Sequence, residues 1–310
     1  MKTVLLAGAF AAALLAGPAA AQSLNGFDLR GALVDPGEIH QGGPPKDGIP
    51  AIDRPKFVPA AQAKLDPGDR VLGVALHGEA KAYPVRILNW HEVVNDKVGG
   101  APVAVTYCPL CGSGVTFSAL MNAKPRTFGV SGLLYNSDVL LYDRETNSLW
   151  SQLLAQAVTG PAKGAKLEIV PTAHTSWEDW RARHPGTRVL SEDTGYARDY
   201  ARDPYAGYDV SPVIFFPVAN ASARFDSKEV VLGVEIDGRR KAYPFAELAK
   251  TDGDFADRVG DRDVRIVYDR RHRTARVLDA SGKELASVTS YWFAWYAFYP
   301  QTAVFYAGER

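Results

Sequence analysis

Val71-Leu-Gly-Val-Ala-Leu-His-Gly-Glu-Ala-Lys-Ala-Tyr-Pro-Val-Arg-Ile-Leu88 returns later in the chain as Val231-Leu-Gly-Val-Glu-Ile-Asp-Gly-Arg-Arg-Lys-Ala-Tyr-Pro-Phe-Ala-Glu-Leu248, with 10 identities in 18 ungapped positions. A match of that length implies an internal duplication. Each copy reads as a strand, a Gly-containing hairpin turn, a second strand reaching Lys-Ala-Tyr-Pro, and then a helix. With one residue added in the second copy the match continues: Asp96-Lys-Val-Gly99 aligns with Asp257-Arg-Val-Gly260, and Val103 to Tyr107 aligns with Val264 to Tyr268. A strand closes each unit. The expected fold class is α+β, a mixed, mainly antiparallel sheet built from two internally duplicated ββαβ units. These occupy residues 69–126 and 227–310, with a β-rich segment of strands, a short helix and a loop inserted at 127–226.

The copies part company in their chemistry. Both cysteines of the chain lie in Val105-Thr-Tyr-Cys108-Pro-Leu-Cys111-Gly-Ser-Gly114-Val-Thr-Phe117, and their counterparts in the second copy are Asp269 and His272. His91 is replaced there by Thr251 or Asp252. Pro109 fixes φ after Cys108, and Gly112 and Gly114 offer positions for positive φ, so a tight turn brings the thiols together. Ile87, His91, Val94 and Val98 recur at helical spacing, which puts His91 on the inward face of the element leading into the cysteine strand.

Three readings of this constellation stay open. In the first, Cys108 and Cys111 are metal ligands with His91 as a third, a soft donor set suited to Cu or Zn in metal handling or redox. Met121 could add a thioether, although a core side chain is its default role. In the second, the pair is a thiol-disulfide oxidoreductase in which Cys108 attacks and Cys111 resolves; against it, Cys108 ends a strand and gains nothing from a helix dipole. In the third, the cysteines form a structural disulfide in a non-enzymatic scaffold. No catalytic residue is assigned. His91-Glu92-Val-Val-Asn95 lacks the second histidine of a zincin, Gly129-Val-Ser-Gly132 is not a nucleophile elbow, and no P-loop or dinucleotide fingerprint occurs, so neither nucleotide nor flavin is expected. Tyr135, Asn136, Asp138 and Trp150 are candidate pocket residues, for which turn and strand-packing roles compete.

The rest of the chain frames this core. Met1 to Ala21 carries one cation, an apolar run from Val4 to Leu15 and small residues at Ala19 and Ala21, the pattern of a secretory signal peptide without membrane or lipid anchor. The expected destination is the periplasm or the medium. Gln22 to Gly68 is rich in Pro, Gly and Asp and reads as an extended arm. Thr175-Ser-Trp-Glu-Asp-Trp-Arg-Ala-Arg-His184 reads as a capped short helix, and the aromatic run Tyr291 to Tyr299 as core. Lys+Arg and Asp+Glu both total 35, so no net field draws nucleic acid or an anionic membrane. The expected partner is a small molecule or a metal-handling protein.

Asn89-Trp-His-Glu-Val-Val-Asn-Asp96, Thr106-Tyr-Cys-Pro-Leu-Cys-Gly112, Gly132-Leu-Leu-Tyr-Asn-Ser-Asp138, Tyr142-Asp-Arg-Glu-Thr146, Leu149-Trp-Ser-Gln152 and Tyr205-Ala-Gly-Tyr208 together resemble the family known as domain of unknown function 3179. The resemblance covers nearly the whole chain after the signal and takes in His91, Cys108 and Cys111. It implies a mostly bacterial and archaeal, often exported protein and brings no activity with it.

Overall fold

The computed structural model describes residues 23–309; the signal peptide expected at residues 1–21 lies outside them. The two similar stretches form hairpins in the same register. Arg70–Leu76 pairs with Glu79–Pro84 from Val71↔Pro84 to Leu76↔Glu79, and Val230–Ile236 pairs with Arg239–Pro244 from Val231↔Pro244 to Ile236↔Arg239. Their turns, His77-Gly78 and Asp237-Gly238, take positive φ at both residues, the backbone that matches strand twist in a two-residue hairpin. Each proline ends its strand in extended backbone and caps the helix that follows, α1 (Val85–His91) and, after the inserted segment, α3 (Phe245–Leu248). A second hairpin follows each helix, Val93–Val98 with Ala101–Cys108 and Asp254–Val259 with Arg262–Asp269.

The shared Lys-Ala-Tyr-Pro has a physical reason. Lys81 Nζ donates to Asp96 Oδ2 at 2.9 Å, and Tyr83 Oη donates to the same oxygen at 2.7 Å. Lys241 Nζ donates to Asp257 Oδ2 at 2.7 Å. In both places a lysine on the first hairpin thus ties it to an aspartate on the second.

The likeness extends past what the repeat in the sequence displays. Ala173–Ser176 pairs antiparallel with Arg70–Leu76 and leads into α2 (Trp177–Arg183); Val288–Tyr291 pairs antiparallel with Val230–Ile236 and leads into α4 (Trp292–Phe298). After each helix a short strand returns parallel to the hairpin, Arg188–Leu190 beside Glu79–Pro84 and Ala303–Val304 beside Arg239–Pro244. Trp180 lies on Gly73 and Trp295 on Gly233, so closely that a Cβ at either glycine would stand 2.3 or 2.2 Å from the indole. The indole N–H groups are held in the same way, Trp180 by Thr187 Oγ1 at 2.9 Å and Trp295 by Thr302 Oγ1 at 3.0 Å.

The two halves are interleaved. The hairpin Val230–Ile236/Arg239–Pro244 belongs to an eight-stranded sheet with Val93–Val98, Ala101–Cys108 and Ser113–Ser118, joined through Thr289↔Gly114. The first hairpin lies in a separate five-stranded sheet. A further five-stranded sheet, built from Phe128–Tyr135, Asp138–Asp143, Leu149–Ser151, Gln156–Ala157 and Ile39–Gln41, comes mainly from the inserted segment. The fold is therefore mixed α+β with mostly antiparallel pairing, as expected.

Three local expectations are corrected. The helix does not run on to Val98: Glu92 takes φ 57 in the left-handed region and ends α1, and Val93–Val98 is a strand paired to the cysteine strand. Its β-branched valines are buried on the pleated surface, and their spacing imitated a helical stripe. Gly114 does not have positive φ; it is required because a Cβ there would lie 2.3 Å from Leu72. The arm before Gly68 is partly built into the sheets, since Ile39–Gln41 pairs with Leu133 to Tyr135 and Phe57–Pro59 pairs with Arg188–Leu190.

Gly73→Ala and Gly233→Ala should each lower stability by about 1–3 kcal/mol, because the bonded indole cannot retreat from the added methyl. Urea midpoints of the two variants should fall by similar amounts, which reads out the equivalence of the two contacts.

Candidate metal centre

The cysteine strand ends at Cys108 and the next begins at Ser113, the two residues facing each other across the ladder. The intervening Pro109-Leu-Cys-Gly112 is a closed turn: Cys111 N–H donates to Cys108 O at 3.2 Å, and Gly112 takes φ 58. A Cβ on Gly112 would lie 2.8 Å from the Tyr291 ring, so glycine is needed there for backbone and space alike. The turn is fastened from the other half of the molecule, where Tyr291 N–H donates to Cys111 O at 2.8 Å.

Both cysteines are free thiols, 1 % and 0 % exposed. They face the turn Asn136-Ser137, where two residues at positive φ join Phe128–Tyr135 to Asp138–Asp143. The Cys111 thiol donates to Ser137 O at 3.3 Å, with Cys108 Sγ 4.0 Å from the same oxygen. The residue after that turn, Asp138, completes a cluster in which one ligand atom each from Cys108, Cys111 and Asp138 lie within 4.8 Å of one another. Asp138 Oδ2 accepts from Leu153 N–H at 3.0 Å. Its Oδ1 and Ser137 Oγ are buried with no N–H or O–H partner.

The electrostatics follow from burial. With no cation paired to it among the described residues, the Asp138 carboxyl is pushed up to about 7, its rise limited by the Leu153 N–H and the two thiols. Burial also raises both thiols, Cys111 well above its ordinary value, where the neighbouring Cys108 adds to the effect. Glu92, left buried by the left-handed end of α1, is pushed up to about 8 by desolvation and by the nearby Asp138. Two acids that hold their protons into the neutral range and two thiols thus lie together in the core. Outward from it runs a cleft of about 450 Å³ lined by Glu92, Cys108, Leu110 and Tyr205 and walled by Leu134 and Phe216.

The candidate residues separate sharply. His91 is fully buried, but its ring nitrogens are engaged elsewhere: Nδ1 with Pro50 O and Nε2 with Tyr200 Oη, both at 2.7 Å. Burial pushes its pKa below the ordinary value, consistent with a neutral ring that donates to the carbonyl and accepts from the phenol. It is absent from the convergent cluster, and Asp138 stands where an imidazole was expected. Of the other pocket residues, Tyr135 packs against Phe298, Asn136 Oδ1 accepts from Ala219 N–H at 2.7 Å, and Trp150 Nε1 donates to Asp143 Oδ2 at 2.8 Å. Met121 is half-buried against the core. Glu92 carries no mark in the sequence beyond an incomplete zincin pattern; what distinguishes it is the left-handed backbone at φ 57, which no local sequence rule discloses.

A family model described as a protein of unknown function (DUF3179) matches residues 46–284. No curated protein and no solved structure matches the chain.

The metal-free chain should lose stability as pH rises. Unfolded, Glu92 and Asp138 release their protons near pH 4; folded, they keep them to about 8 and 7, so the native state binds more protons across that window and stability falls through it. Thermal unfolding in chelator should show a Tm that declines from pH 5 to 8. Glu92→Gln should flatten the slope and raise the Tm at pH 8.

Proposed function

We propose that this chain, which belongs to the DUF3179 family, is an exported metal-binding protein whose ion is held by Cys108, Cys111 and Asp138. The observation carrying the reading is the convergence of two buried thiols on a buried carboxylate that has an orphaned oxygen and no cation beside it. Burying such a group uncompensated is costly, and a bound cation removes the cost. Ligand atoms about a tetrahedral zinc stand about 3.5–3.8 Å apart, so the cluster needs to contract by no more than about 1 Å. Two thiolates suit Cu(I) or Zn(II), and the hard carboxylate oxygen tips the set towards zinc. The fourth position opens towards the cleft at Cys108, where a small molecule or a metal-handling partner could supply a ligand.

His91 then acts at one remove, holding Pro50 and Tyr200 against the cysteine half. A thiol-disulfide reaction is less well served, because nucleophilic attack needs an accessible thiolate, and these sulfurs are buried with raised pKa values. We further infer that the paired halves descend from an internal duplication, which accounts for the equal hairpin registers, the matching Lys–Asp ties and the two tryptophan–glycine contacts.

Elemental analysis after reconstitution with zinc or copper under reducing conditions should find about one ion per chain. Asp138→Asn should weaken binding at least about tenfold, Cys108→Ser with Cys111→Ser should abolish it, and His91→Gln should leave the stoichiometry intact. Affinity should rise with pH, since the ion displaces protons from its ligands. Reduced wild-type chain that takes up neither metal would end this reading.

A further inference from the structure

A second cleft, of about 400 Å³, lies where the two halves meet. Equivalent positions line it: Arg70 and Val230 at the starts of the two hairpins, Val85 and Phe245 at the starts of α1 and α3, His174 and Thr289 on the strands that precede α2 and α4. Pro109 and Tyr205 line both this cleft and the one at Cys108. The symmetry of the scaffold is broken by charge, for Arg70 has no cationic counterpart at Val230.

Three cations line the cleft, Arg70, Lys228 and Arg273, and among the described residues none of them pairs with a carboxylate. Arg70 is half-buried and spends Nη1 on His272 O at 2.7 Å and Nη2 on His174 O and Arg273 O at 2.7 and 3.2 Å. Its Nε and one Nη1 hydrogen remain unspent. Lys228 Nζ donates only to backbone carbonyls, those of Tyr208, Ser211 and Val213. Carbonyls satisfy donors without cancelling charge. Burial and the like charge of Arg273 push Arg70 down to about 10. Two carboxylates also line the cleft: Asp203 accepts from Asn89 Nδ2 and Tyr205 N–H, both at Oδ1, and Asp209 lies on the Lys228 side. Independently, His174 Nδ1, Tyr208 Oη and Ser290 Oγ, all on lining residues, are buried without a hydrogen-bond partner.

We propose that this cleft binds a small solute bearing an oxyanion, a carboxylate or a phosphate, with Arg70, Lys228 and Arg273 supplying the counter-charge. The oxygens take the open guanidinium hydrogens as single charge-assisted bonds. An organic body would lie against the rings of Tyr107 and Tyr291. The site needs no metal, although it adjoins the cysteine turn through Tyr107, Pro109 and Gly112.

The test is calorimetric titration of metal-free chain, at constant ionic strength set with chloride, using inorganic phosphate in one arm and benzoate in the other. Saturable one-site binding is expected in at least one arm, and the arm that responds identifies the source of the oxyanion. Arg273→Gln, whose side chain makes no hydrogen bond to lose among the described residues, should weaken binding about tenfold, as should Arg70→Lys if its urea midpoint is unchanged. Absence of saturable binding in both arms up to about 10 mM, or variants that bind like wild type, would overturn the proposal. Because no metal is present, that failure would leave the cysteine-centre reading untouched.

Discussion

The indole of Trp180 rests on the bare backbone of Gly73, and that of Trp295 on Gly233; the way each short helix docks on its hairpin depends on these two contacts. An indole buries a large apolar surface while its N–H still requires a partner, which Thr187 and Thr302 supply. Helices of seven residues have little stability of their own, so α2 and α4 hold their place through a wide ring, a glycine with room for it and a threonine behind. With the helices fixed, the strands before and after them fall beside the hairpin, and the interleaved sheets follow.

Upon this repeated framework the polar chemistry is lopsided. One half follows its second hairpin with Arg270 and Arg271 exposed to water and with Asp269 and His272 half-buried, His272 Nδ1 meeting Ser176 Oγ at 2.8 Å. The other half buries Cys108, Cys111, Asp138 and Glu92 together. A fold that had only to be stable would not keep two acids and two thiols in its interior, since each resists ionisation there and adds nothing to packing that an apolar residue would not. Holding them in the core costs stability, and that cost is the ground for the metal site proposed above.

How much of this the chain discloses depends on the range of the contact. The hairpins, their turns and the Lys-Ala-Tyr-Pro boundaries were legible because they rest on local patterns. The likeness of α2 to α4 was not, although Trp177, Trp180 and Thr187 correspond to Trp292, Trp295 and Thr302, because an insertion of unlike length separates each from its hairpin. The site was half legible: the cysteine turn is contiguous and could be read directly. Asp138 reaches it from a different sheet and was seen only as a pocket residue. His91 was drawn in by a helical spacing that the left-handed Glu92 interrupts, and no spacing rule anticipates Pro50 and Tyr200 as its partners.

The hydrogen bond from Tyr291 N–H to Cys111 O spans most of the polypeptide. The sulfur-bearing loop therefore does not gain this tie until the segment around Tyr291 has emerged and folded back. A nascent chain that has not reached Tyr291 presents the same two thiols on a loop without this tie. For the metal site proposed above, timing then becomes part of selectivity: discrimination among ions begins only once both ends of the bond have met.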